Sequence, residues 1–212
     1  MRRIRRLFPA LCCMVSANLI IAACILYPHV FRDYGKELIA QVTMISNVYF
    51  AQQDGYFATP SENMPLLHTW SLAVEEQFYL LFPFLLTWLW QKRSGRLPRI
   101  LTVITCGSFL FNIIGTHYFT LGNFFLLPGR IWELLLGALI AVKCPELLKN
   151  SKHAPTLGWV ALIILLSCSF LYDRNTPFPG FASLPVCLSA SILIAVHSDT
   201  KQTVLSLSLI HI

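Results

Sequence analysis

The hydrophobic pattern divides the chain into long apolar runs that alternate with short polar connections. A helix needs about 20 predominantly apolar residues to cross the hydrocarbon core of a bilayer. The pattern therefore predicts an all-α fold, a polytopic transmembrane helical bundle with about six spanning helices. The predicted spans are Leu7–Leu26, Leu66–Trp90, Ile100–Ile114, Phe124–Val142, Leu157–Tyr172 and Phe181–Val196.

One apolar run, Leu38–Phe50, is too short to span the membrane easily, and it follows a stretch around Pro28 that reads as a polar loop. We expect this run to form one short re-entrant or interfacial helix. The loop charges agree, because every basic loop lies on the cytoplasmic side only if this run does not cross. Four polar side chains interrupt the run: Gln41, Thr43, Ser46 and Asn47.

The composition supports a membrane protein. Hydrophobic residues make up 56% of the 212 residues and charged residues only 12%, whereas soluble domains carry about 25% charged residues. We therefore expect residues 1–212 to form a single transmembrane domain with the lipid bilayer as its partner. The net charge of +6 is concentrated in short loops, which is typical of cytoplasmic flanks and does not indicate nucleic-acid binding. The seven cysteines lack metal-binding spacing, so no metal site is predicted.

The predicted span Leu66–Trp90 carries ionisable side chains that are costly inside a membrane. His68, Ser71 and Glu75 are spaced i, i+3 and i+7, which places them on one helix face, and Glu76 lies on the adjoining face. His68 has the chemistry of a general base that a neighbouring carboxylate orients, with Ser71 within reach as a partner. The alternative is that His68 is an interfacial residue that caps the start of the helix.

A second charged pair, Arg130 and Glu133, opens the predicted span that contains it. The i,i+3 spacing predicts an ion pair on one helix face, which would neutralise the helix for insertion. Alternatively, Arg130 binds an anion, or it pairs with Glu75 or Glu76 in a shared cavity on the outer side.

Four arginines, Arg2, Arg3, Arg5 and Arg6, precede the first apolar run. The positive-inside rule places this end in the cytoplasm. The cluster is either a topology signal alone or a site for an anionic cytoplasmic ligand, because guanidinium groups pair bidentately with phosphates.

The string LLHTWSLAVEEQFYLLFPFLL closely resembles the signature helix of membrane acyltransferase family 3, the O-antigen and peptidoglycan O-acyltransferase type. RRIRRLFPAL, SNVYFAQQDGYF and PGRIWELLLGAL resemble further segments of that family, in the same order. The resemblance implies a bacterial inner (cytoplasmic) membrane enzyme that moves an acyl group, usually acetyl, from cytoplasmic acyl-CoA to a sugar hydroxyl. The implied acceptor is a cell-envelope glycan or glycolipid, such as lipopolysaccharide O-antigen, peptidoglycan or exopolysaccharide.

The resemblance also implies roles for individual residues. It assigns the donor phosphates to Arg2, Arg3, Arg5 and Arg6, and it places the signature-helix residues and the Arg130–Glu133 pair in the functional region. The signature-helix residues are His68, Ser71, Glu75 and Glu76.

The chain departs from the family pattern at both ends. The family's first helix carries a basic residue and a histidine regarded as the catalytic base, and this chain starts after it. We therefore expect a partial domain, truncated at its N- and C-terminal ends. Two rival hypotheses follow: a non-catalytic remnant, or a transporter-like protein with an intramembrane Glu/Arg relay.

Overall fold

The computed structural model describes residues 2–53, 64–93, 96–147, 154–173 and 176–199. The regular secondary structure in these ranges is helical, and the predicted all-α fold is confirmed. A 3₁₀ turn at Leu67–Thr69 precedes the fourth α-helix. The α-helices are α1 (Arg2–Ile25), α2 (Pro28–Val42), α3 (Ser46–Ala51), α4 (Trp70–Arg93), α5 (Leu97–Tyr118), α6 (Thr120–Phe125), α7 (Leu127–Leu147), α8 (Ala154–Leu171) and α9 (Ser183–Asp199).

The helical surface is apolar, as a membrane requires. Only 6% of the Phe8–Ile25 window is buried inside the protein, although its side chains are almost all hydrophobic. In water such exposure would be unfavourable, whereas lipid solvates it. By length and composition, five helical stretches in the described residues can cross a membrane, and a shorter apolar helix, Ser183–Val196, follows them. The five are Phe8–Ile25, Leu67–Gln91, Leu97–Tyr118, Thr120–Ile140 and Ala154–Leu171.

The chain divides into two compact units, Met1–Gln77 and Phe78–Ile212. In the first unit, the prediction of a polar loop after the first span is wrong. This stretch is helix α2, and Pro28 occupies its first turn, where proline's missing N–H removes no intrahelical hydrogen bond. The proline read as a loop residue is thus a helix start.

The run Leu38–Phe50 is also not one helix. It breaks at Met44, whose φ of 57° lies in the left-handed region that a continuous helix cannot contain. The end of α2 and the short helix α3 lie on either side of this break. Neither helix is among the candidate spans, in agreement with the prediction that this run does not cross. Ala22, Tyr34 and Leu66 form a buried cluster of this unit.

The second unit has its own core. Leu97 and Leu101 of α5 and Leu135 and Leu139 of α7 are buried together with Phe78 and Leu89. The predicted run Phe124–Val142 is divided here as well, because Leu126 is extended between α6 and α7. Pro128 at the second position of α7 explains why the helix starts afresh at this point.

Candidate active site

Four of the predicted site residues, His68, Ser71, Glu75 and Glu76, lie at or near the start of α4. His68 belongs to the 3₁₀ turn Leu67–Thr69, and α4 begins only at Trp70. The side chains of His68 and Ser71 are exposed. The Ser71 hydroxyl donates a hydrogen bond to the main-chain carbonyl of His68 at 3.4 Å. This bond closes the first turn and is not the imidazole contact that a Ser–His nucleophile needs.

Glu75 and Glu76 follow within the first two turns of α4, and both are half-buried. Within the described residues of the first unit, the ion pair is between Lys36 and Asp33. Neither Glu75 nor Glu76 therefore has a cationic partner in that part of the chain. Within the described residues, these two half-buried carboxylates therefore keep spare hydrogen-bond acceptor capacity.

Polar side chains of α3 hold the start of α4 in place. The amides of Asn47 and Gln77 bond reciprocally, at 2.8 Å from Gln77 Nε2 to Asn47 Oδ1 and 3.3 Å in the other direction. Gln77 Nε2 also donates to the Met44 carbonyl at 3.0 Å. The Ser46 hydroxyl donates to the Thr69 carbonyl at 3.2 Å. Because Ser46 and Asn47 are fully buried, these bonds fix the 3₁₀ turn and α4 against α3.

Sequence reasoning missed Glu37. Its side chain is only 3% exposed, and its Oε2 accepts the main-chain N–H of Leu66 at 3.1 Å. Burial raises the pKa of this carboxyl to about 7, although the hydrogen bond from Leu66 lowers it. The sequence held one signal, the i, i+3 and i+7 spacing of Tyr34, Glu37 and Gln41, which places them on one helix face. In the structure all three residues are buried.

The second unit contains the predicted Arg130–Glu133 pair. Arg130 Nη1 lies 2.8 Å from Glu133 Oε1, which confirms the i,i+3 ion pair. Arg130 Nε donates to the Phe124 carbonyl at 3.1 Å. The guanidinium also lies over the rings of Phe124 and Phe178, at 4.8 and 5.2 Å from their centroids. Arg130 is thus buried with its charge compensated on several sides.

Asparagines that the sequence analysis did not single out build the frame around Arg130. Asn112 Nδ2 donates to the Gly129 carbonyl, and Asn123 Nδ2 donates to the Asn112 carbonyl, both at 2.8 Å. Both asparagines are fully buried. A Cβ at Gly115 would lie 2.8 Å from the Asn123 side chain, so glycine is required for α6 to approach α5 this closely.

The remaining predictions concern the N-terminal arginines and metals. Arg2, Arg3, Arg5 and Arg6 lie in the first turns of α1, but their side chains lie outside the described residues. Among the described side chains, no group of three His, Cys, Asp or Glu residues could hold a metal ion.

The fold and these polar clusters define a multi-pass helical membrane protein with a polar site at the start of one helix. The chain belongs to the acyltransferase 3 family, because the family model described as an acyltransferase domain matches residues 1–209. It is 31% identical over 216 residues to an uncharacterized protein of Haemophilus influenzae, covering 94% of this chain and 86% of that protein. It is 32% identical over 213 residues to the O-acetyltransferase OatA of Staphylococcus aureus. That alignment covers 94% of this chain but 35% of OatA. No solved structure matches the chain significantly.

Proposed function

We propose that this protein is an O-acyltransferase of the bacterial inner membrane. It moves an acetyl group from cytoplasmic acetyl-CoA to a sugar hydroxyl of a cell-envelope glycan or glycolipid. The family match over residues 1–209 and the similarity to OatA, an O-acetyltransferase, support acyl transfer as the reaction. The apolar helices support a site within or beside the bilayer.

The observation that carries the proposal is the frame around Gln77. The segments SNVYF and HTWSLAVEEQ, which resemble family motifs, are joined by the reciprocal amide bonds of Asn47 and Gln77. This frame presents His68, Glu75 and Glu76 from one fixed helix start. Preorganised groups of this kind are what acyl transfer requires, because charge develops at defined atoms in the transition state.

The reaction requires a small set of groups. The acceptor hydroxyl attacks the thioester carbonyl, a base takes the hydroxyl proton, and the CoA thiolate leaves as an ester forms. His68 is exposed and has the right chemistry for the base, and Glu75 or Glu76 can stabilise the imidazolium that results. Arg2, Arg3, Arg5 and Arg6 are the proposed donor site, where guanidinium groups bind the phosphates of CoA.

Membrane vesicles that contain the whole chain, incubated with acetyl-CoA radiolabelled in the acetyl group, test this function. We expect alkali-labile label in the glycan and glycolipid fraction, and we expect Glu75→Gln and His68→Ala to abolish it at unchanged protein levels. The matched control is Asp33→Asn, which alters an exposed carboxylate in the same unit. Replacing the four N-terminal arginines with glutamine should raise the KM for acetyl-CoA.

Other outcomes would favour the rival hypotheses. Label no higher than in vesicles without the protein would contradict the proposal and favour a non-catalytic remnant. Proton flux across the vesicle membrane without acetyl transfer would favour a transporter-like protein.

A further inference from the structure

The hydrogen bond between Glu37 and Leu66 joins two parts of the first unit that are far apart in the sequence. The two residues are separated by 29 positions. The 3₁₀ turn that carries His68 begins at the next residue, and Leu66 itself is fully buried. The Leu66 carbonyl in turn accepts the Thr69 hydroxyl at 2.7 Å. Glu37 thus holds the start of this turn from α2, and Ser46 of α3 holds its end through the Thr69 carbonyl.

Two polar neighbours of Glu37 have unused hydrogen-bonding groups that suit either protonation state of its carboxyl group. Tyr34 and Gln41 lie one turn away on either side, on the same face of α2. The Tyr34 hydroxyl and both polar atoms of the Gln41 amide are buried without a hydrogen-bond partner in the described part of the chain. A tyrosine hydroxyl can donate to a carboxylate, and an amide oxygen can accept from a carboxylic acid. Unused capacity of this kind in a packed core calls for an explanation.

Few other titratable groups surround Glu37. Asp33 on α2 acts on it with a like charge, and Tyr49 of α3 lies close enough for Glu37 to raise its pKa. The 3₁₀ turn contributes His68, whose side chain is exposed. The described titratable side chains of α1 are Cys12, Cys13 and Cys24, all exposed. No described cation in this set neutralises the Glu37 carboxylate.

We propose that Glu37 is a positioning residue for the acyl-transfer site, and that gain or loss of a proton on its carboxyl group tightens or loosens the turn that carries His68. The ionised carboxylate holds the Leu66 N–H with a charge-assisted hydrogen bond. The protonated form is a weaker acceptor and can turn its O–H toward the Gln41 amide. This inference rests on the proposed function for its catalytic consequence, whereas the movement of the turn can be measured separately.

Hydrogen exchange at the Leu66 amide measures directly how firmly Glu37 holds this N–H group. The whole chain in lipid nanodiscs is exchanged between pH 5.5 and 8.5, and the protection factor of Leu66 is read at single-residue resolution by mass spectrometry. In the wild type we expect protection against a local opening, which breaks the Leu66 bond while the Glu37 carboxyl group stays buried, to rise as the pH increases through about 7, where burial places the pKa of Glu37. Global unfolding, which releases the carboxyl group to water, has the opposite pH dependence. Glu37→Gln keeps an acceptor but cannot ionise, so its protection should not change with pH. Glu37→Ala should lose protection about tenfold at pH 8.

Asp33→Asn is the matched control on the same helix. It should keep the full amplitude of the Leu66 response and move its midpoint slightly to lower pH, because a like charge beside Glu37 is removed. The proposal is overturned if Glu37→Ala retains wild-type protection, or if Glu37→Gln shows the same pH response as the wild type.

Acetyl transfer by the same variants connects the turn to the reaction. We expect Glu37→Ala to lower kcat with an unchanged KM for acetyl-CoA, and Glu37→Gln to restore most of the rate without the Glu37 component of the pH profile. An active wild type whose Glu37→Ala variant has unchanged kcat would refute the positioning role. If the wild type itself is inactive, the proposed function fails, and Leu66 protection still decides whether Glu37 holds the turn.

Discussion

The two units each bury a charged side chain, and they compensate it differently. Arg130 in the second unit is 7% exposed and Glu37 in the first is 3% exposed. Arg130 has a carboxylate, a carbonyl and two aromatic faces around its guanidinium. Among the described residues, Glu37 has one hydrogen-bond partner, the main-chain N–H of Leu66. A buried charge with a full set of partners is a structural element, whereas a buried carboxyl with one partner can change its protonation state near neutral pH.

The largest expected effect comes from breaking the well-compensated site. Arg130→Met leaves Glu133 half-buried without its cation, and removing one partner of a buried pair costs about 3–5 kcal/mol. Unfolding in mixed micelles by a denaturing detergent should show this loss. The double variant Arg130→Met with Glu133→Leu should recover much of it, because an apolar pair leaves no charge uncompensated. Equal stability of the single and double variants would show that the Arg130–Glu133 contact does not stabilise the unit.

The next effect concerns Glu37 and has a defined sign. The pKa of Glu37 is raised from 4.5 to about 7 in the folded protein, so the folded state binds a proton more tightly than the unfolded state does. This contribution to stability is fully present below pH 4.5 and is lost as the pH rises through 7, on the order of 2–3 kcal/mol in all. The difference in unfolding free energy between the wild type and Glu37→Gln should therefore change over this range. A pH-independent difference would contradict the assignment.

A smaller effect is expected from the amide pair that joins α3 to α4. Asn47→Ala and Gln77→Ala should each destabilise the first unit by about 1 kcal/mol. A double-mutant cycle should show a coupling of at least about 0.5 kcal/mol, because the two side chains contact each other directly. Asn18→Ala is a suitable control, since the hydrogen bonds of Asn18 within the described residues stay inside α1, to the Met14 carbonyl and sulfur. If the stability losses of Asn47→Ala and Gln77→Ala are strictly additive, the amide pair does not join α3 to α4 in the way that the proposed function requires.

How well the sequence predicts these sites depends on how far apart their partners lie. The Arg130–Glu133 pair was predictable because helix periodicity alone brings positions i and i+3 together. The spans were predictable because each is a long apolar run. The Glu37–Leu66 bond was not, since it joins residues 29 positions apart and Pro28 was read as a loop residue. The stripe of Tyr34, Glu37 and Gln41 becomes visible only once Pro28 is placed at a helix start.

The start of α4 shows the same limit on a shorter scale. Treating Leu66–Trp90 as one helix placed His68 and Ser71 on a common face, whereas the α-helix begins only at Trp70. The Ser71 hydroxyl consequently donates its hydrogen bond to the main-chain carbonyl of His68 and not to the imidazole. Helix boundaries depend on which polar groups satisfy the free backbone ends. Here those groups come from α2 and α3, which a local pattern does not reveal.

The smallest expected effect sets the baseline for both buried sites. Asp33 and Lys36 form an exposed ion pair at 2.7 Å on α2, and the hydrogen bond from Lys36 lowers the pKa of Asp33. Solvent screens such pairs, so Asp33→Asn should change the unfolding free energy by less than about 0.5 kcal/mol. Thermal unfolding in detergent, with added salt as a second condition, measures this change. A loss as large as that of Arg130→Met would mean that burial does not determine how much Arg130, Glu37 and Asp33 each contribute to stability. The contrast between the two units would then fail.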